Sequence, residues 1–90
     1  MTVTDNAAAA RFEIDVDGEV AGYAEYRRRE GVVTFTHTVV DPAYEGRGVG
    51  SALVRGALDA VRAEGARVLA QCPFVRAWIE RHPDYADLRS

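Results

Sequence analysis

The stretch Val39-Val40-Asp41-Pro42-Ala43-Tyr44-Glu45-Gly46-Arg47-Gly48-Val49-Gly50-Ser51-Ala52-Leu53-Val54 decides the reading of this chain. An extended segment ends at a proline turn, glycines follow at alternate positions, and a helix begins at once. That layout bares several backbone N–H groups at a helix N-terminus, beside the positive end of the helix dipole. Glycines permit the tight turn and let a bulky anion approach the main chain. The expectation is a site for a phosphate-bearing small molecule.

Working outward, the helix carries apolar residues at Val54, Ala57, Leu58 and Val61, with Leu53 alongside, and stops near Gly65. The β-branched run of residues 32–40 precedes it, and a short apolar strand, Arg67 to Gln71, follows. Strand, long helix and strand in this order predict a right-handed parallel crossover. Upstream, Phe12, Ile14 and Val16 alternate with Arg11, Glu13, Asp15 and Asp17, a strand period closed by the hairpin turn Asp17-Gly18. A straight register across that turn sets Ile14 opposite Ala21 and Phe12 opposite Tyr23. It leaves Val20, Ala24 and Tyr26 on the other face, so the sheet is expected to be covered on both sides. Arg27 to Gly31 is read as the next turn, and Phe74 to Arg81 as a second helix with Val75, Trp78 and Ile79 inward, stopped by Pro83.

The fold class is therefore α/β: an antiparallel three-stranded meander, a helix, a parallel strand and a short C-terminal helix. Residues 1–10, small and polar and ending in four alanines, are read as a disordered tail ahead of one domain over 11–90. A net charge of −3 argues against nucleic acid as the main partner. No apolar run is long enough to span a membrane. The single Cys72 cannot form an internal disulfide, which suits a reducing compartment, and no basic leader precedes Arg11, so the cytoplasm is the expected location.

Three kinds of phosphate loop compete. A nucleotide-hydrolase loop needs Lys and Ser/Thr after its last glycine, and this chain has no lysine. A dinucleotide fingerprint needs a different glycine spacing and a larger unit. The segment Val39–Val54 instead resembles the acetyl-CoA motif of the GNAT acyltransferases, Gln/Arg-x-x-Gly-x-Gly/Ala between a strand and a helix. The span from Phe12 to Leu88 is similar to the very small GNAT-like proteins that carry Cys-Pro-Phe after the last strand, here Cys72-Pro73-Phe74, with His37-Thr38 and His82-Pro83-Asp84-Tyr85 matching as well. The resemblance implies a GNAT-like fold and an N-acetyltransferase using acetyl-CoA or coenzyme A. It implies that Gly46, Arg47, Gly48, Val49, Gly50 and Ser51 hold the pyrophosphate through their amides, and that the backbone of Val40 faces the pantetheine arm. Two departures stand out. Glu45 occupies the usual Gln or Arg position and is expected to turn outward or pair with Arg47. No tyrosine lies near Glu80, where larger members often place a general acid.

His37 and Cys72 are the candidate catalytic residues. A neutral His37 can deprotonate an attacking amine; equally it can be a bystander on a strand. Cys72, between a strand and a helix N-terminus, can accept the acyl group or merely line the pocket. Arg27–Arg29 read as a solvated hairpin tip, Trp78 and Phe74 as core or pocket wall, and Tyr85 as packing for the C-terminal segment. The partner is expected to be a small-molecule or peptide amine. A non-catalytic acyl-CoA-binding module is the alternative of another class.

Overall fold

A computed structural model describes all 90 residues. Strands β1 (Thr2–Asn6), β2 (Arg11–Val16), β3 (Glu19–Arg29), β4 (Val32–Val40) and β5 (Arg67–Ala70) form one sheet in the order β1-β2-β3-β4-β5. The first four run antiparallel, and β5 joins β4 in parallel. Helix α1 (Val49–Ala63) connects β4 to β5, and α2 (Pro73–Arg81) follows β5. The meander, crossover helix, parallel strand and terminal helix are those expected.

Two tight turns shape the meander. Asp17 and Gly18 have φ of 52° and 83°, and Glu30 and Gly31 have φ of 51° and 78°. Positive φ at both central residues matches the right-handed twist of the flanking strands. The second turn is thus only Glu30-Gly31, and Arg27–Arg29 belong to β3 rather than to the turn. Gly65, at φ 75°, ends α1 where the helical stripe stops.

Three expectations are corrected. Residues 2–6 are not a tail but an edge strand, Val3 pairing with Ile14. What holds β1 is long-range: Val3 packs against Gly56 in the middle of α1, Tyr26 donates a hydrogen bond to Asp5, and Asn6 donates to Glu13 at 3.0 Å. The register of β2 with β3 is not straight either. Val16 pairs with Glu19 and Asp15 with Val20, but Ile14 then pairs with Gly22, leaving Ala21 as an extra residue. Such a bulge moves every later side chain to the other face. Ala24 and Tyr26 therefore join Phe12 and Ile14 in the core, Tyr23 turns outward, and the sheet is covered on one side only.

On that side α1 buries Leu53, Val54, Ala57, Leu58 and Val61 against the sheet, joined by Val75, Trp78 and Ile79 of α2. Each fully buried aliphatic side chain contributes about 1.5–3 kcal/mol. The opposite face, with Glu13, Tyr23, Glu25, Thr34 and Thr36, carries no helix. No helix is long and apolar enough to cross a membrane.

The two parallel strands separate early. Pairing of β4 with β5 covers Val32–Phe35 and Arg67–Ala70. The Phe35 carbonyl then accepts from both Gln71 N–H (3.1 Å) and Cys72 N–H (2.9 Å), and Pro73 turns the chain into α2. From Thr36 to Val40, β4 runs beside β3 with no strand on its other edge.

Candidate cofactor site

The glycine loop lies at the open end of β4. Asp41 caps the short 3-10 turn Pro42–Tyr44, accepting from Ala43 N–H at 2.9 Å. Gly46 and Gly48 then adopt φ of 78° and 74°, and a Cβ added to either would meet nothing within 4 Å. Both residues are held in a left-handed conformation that glycine adopts most readily, with open space beyond. Gly48 is the N-cap of α1 and supplies no side-chain cap, so the first-turn amides lack an acceptor from a cap.

Gly50 differs. A Cβ there would lie 2.9 Å from Phe74 Cζ and 3.4 Å from Val40 Cγ2. It is small because the aromatic ring of α2 rests on it. The three glycines thus serve two purposes, and Phe74, 43% exposed, is a wall of the loop's groove rather than core. That groove has a volume of about 240 Å³ and is walled by Val40, Tyr44, Phe74 and the loop residues Glu45, Gly46 and Gly48–Ser51.

Glu45 is exposed and forms no ion pair with Arg47, and it lies on the rim of the groove rather than away from it. The Arg47 guanidinium sits over the Tyr44 ring at 5.4 Å, and Tyr44 donates to Glu19 at 3.2 Å. The Trp78 indole N–H donates to Ser51 Oγ at 2.9 Å, so α2 is bonded to the first turn of α1.

Cys72 is buried at the point where β4 and β5 part, its Sγ 3.4 Å from Thr38 Oγ1. The open edge of β4 therefore runs from the glycine loop at Val40 to Cys72 at its inner end. His37 is not on this side. The pairing of His37 with Glu25 sets it on the bare face, 74% exposed, with Nδ1 3.8 Å from Glu25 Oε1. The fold gathers Val40, Gly46 and Gly48–Ser51 around one groove, sets Cys72 further back along β4 against Thr38, and leaves His37 on the other face of the sheet. Thr38, noted from sequence only as part of the matching His37-Thr38 pair, and Tyr44, not noted as a site residue, complete the surroundings. The strand period offered a signal for Thr38, two residues before Val40 on the same strand.

The remaining candidates have structural partners. Arg28 bonds Glu64 and Asp5 at the far end of β4 from the loop. His82 stacks on Trp78 at 3.7 Å. Tyr85 is buried, donates to Asp59 at 2.7 Å and accepts from Arg55 at 3.3 Å. Burial and the Asp59 carboxylate hold its hydroxyl above the usual tyrosine range, which fits packing of the C-terminal segment.

A sequence model described as GCN5-related N-acetyl-transferase matches residues 11–88. The chain belongs to this family. Family members use acetyl-CoA. A GCN5-like protein from Staphylococcus aureus, named as a candidate N-acetyltransferase, superposes with a TM-score of 0.74 at 22% identity, over 99% of this chain and 87% of its own. The ribosomal-protein-S18-alanine N-acetyltransferase from Escherichia coli gives 0.67 at 22% identity, over 79% of this chain and 49% of its own. A GNAT acetyltransferase from Brucella melitensis in complex with acetyl-CoA gives 0.59 at 26% identity, over 80% of this chain and 54% of its own. This family member thus spans about half the length of the last two. No curated protein matches it.

Proposed function

We propose that this chain binds acetyl-CoA on the Gly46–Ser51 loop and transfers the acetyl group to an amine. One observation carries the reading: amides without a capping side chain and a strand edge without a neighbour meet at the same end of β4. The amides from Gly46 to Ser51 suit a pyrophosphate, which needs several convergent donors and no side-chain bulk. The bare peptide edge from Val40 back to Thr36 offers hydrogen bonds to the amide-bearing arm of the coenzyme. When bound, the coenzyme supplies an acyl group activated as a thioester. Cys72 and Thr38 line the inner end of that edge. His37, on the opposite face, takes the proton from a neutral amine approaching from the bare side. The net charge of −3 favours a cationic amine by long-range attraction, an effect that weakens with salt.

A ligand that binds only the folded state raises its melting temperature by mass action. Acetyl-CoA and CoA should both stabilise the domain, and ATP or NAD much less. Gly48→Val should fold yet lose the shift; an unchanged shift would move the site elsewhere, and no shift with acetyl-CoA in the unaltered protein would overturn binding. Turnover with a panel of amines then separates an enzyme from an acyl-CoA-binding module. His37→Ala should slow that turnover by about ten- to a hundredfold at neutral pH and change its pH profile. An unaltered profile removes His37 from the mechanism.

A further inference from the structure

We infer that Trp78 is a positioning residue for the cofactor loop, holding the Ser51 hydroxyl as a ready donor to the pyrophosphate; this rests on the acetyl-CoA reading above. Trp78 is the only tryptophan of the chain and is buried, 1% exposed. An indole N–H is a donor only and, once buried, requires an acceptor. Here that acceptor is a side chain at the edge of the loop's groove, Ser51 Oγ at 2.9 Å.

Ser51 is exposed and lies in the first turn of α1, and its hydroxyl makes no other hydrogen bond. Accepting from Trp78 occupies its oxygen and leaves its O–H proton unused. A serine in a helix otherwise turns its hydroxyl back to a carbonyl of the preceding turn. The indole bond competes with that rotamer, and it strengthens the O–H as a donor by polarising it. The indole itself has little freedom. Its ring stacks on His82 at 3.7 Å, meets Tyr85 edge-on at 5.0 Å, and carries the Arg55 guanidinium at 5.2 Å. A rigid buried donor thus orients an exposed hydroxyl beside the amides of Gly50 and Ser51.

A bond that merely fastens α2 to α1 would affect every ligand alike. A positioned hydroxyl affects only ligands that carry the pyrophosphate. Calorimetric titration with acetyl-CoA and with acetyl-pantetheine, which lacks it, distinguishes the two. Ser51→Ala should weaken acetyl-CoA by about tenfold, the loss expected for one hydrogen bond to a charged group, and leave acetyl-pantetheine unchanged. Ser51→Thr should restore most of the affinity. Trp78→Phe should weaken acetyl-CoA in the same selective way, and the double variant Trp78→Phe/Ser51→Ala should be no worse than Ser51→Ala alone. Equal weakening of both ligands, or full acetyl-CoA affinity in Ser51→Ala, overturns the inference. Should acetyl-pantetheine bind too weakly to titrate, additive losses in the double variant overturn it instead. Should Trp78→Phe fail to fold, the emission of Trp78 decides: acetyl-CoA should change it in the unaltered protein and in Ser51→Thr, and an equal change in Ser51→Ala overturns the inference. If the unaltered protein binds no acetyl-CoA at all, the fault lies with the parent reading.

Discussion

Replacing Gly56 by alanine should lower the melting temperature, although alanine is the better helix former. In a helix interior Ala is favoured over Gly by about 1 kcal/mol. A Cβ on Gly56, however, would lie 2.6 Å from Val3 Cγ2, 2.7 Å from Val3 Cβ and 3.2 Å from Val3 Cγ1. A new rotamer moves the two methyl groups of Val3 but not its Cβ, so β1 itself must shift. Overpacking of this kind costs about 1–3 kcal/mol. After the propensity gain, a net loss of about 1 kcal/mol remains, which lowers the midpoint by about 4–8 °C in a domain of this size. Thermal melts of the parent, Gly56→Ala, Val3→Gly and the double variant test this. With Val3→Gly the obstructing atoms are gone, and Gly56→Ala should then raise the midpoint. A rise in the protein that retains Val3 would refute the seating of β1 on α1.

Two further outcomes are expected. Cys72→Ser should keep its turnover, and incubation with acetyl-CoA should add no acetyl mass to the parent protein, because the thiol is buried against Thr38; an adduct lost in the variant would assign a covalent step to Cys72. Hydrogen bonds from Asn6 and Arg11 hold the Glu13 carboxyl below its usual range, so their stabilisation is present above that range and is lost as pH falls through the lowered value. Acid should therefore release β1, which contains Asn6, before the rest of the sheet; hydrogen exchange along Thr2–Asn6 should show it, and Glu13→Gln should remove that acid step.

The loop and the crossover were legible in the sequence because their signals are local. Pro42, the alternate glycines and the stripe on α1 lie within one continuous stretch, and each has a short-range physical meaning. Residues 2–6 were not legible. Their alanine-rich flank looks like a tail, and what fixes them is Gly56, far along the chain and by itself only a poor helix residue. The β2–β3 register failed for a related reason: alternation carries no mark of the extra residue at Ala21, and a slip of one position exchanges the two faces. The same limit applied to the site. The glycines mark the loop as an expected anion site, but nothing near Gly50 reveals that its size is set by Phe74, and nothing near Ser51 points to Trp78.

The bare face of the sheet has a chemical consequence. The molecule measures 34 × 30 × 20 Å, and its short axis spans one sheet and one layer of helices. If the proposed cofactor binds as argued, a thioester lodged where β4 and β5 part would be reached from the uncovered side without any tunnel. In that case no wall would exclude an acceptor by size, so a polyamine and the terminus of a folded protein would meet the same doorway. Solvent meets it too. Slow hydrolysis of the bound thioester would then be the natural side reaction of so thin a body, and its rate the baseline above which any amine has to be measured.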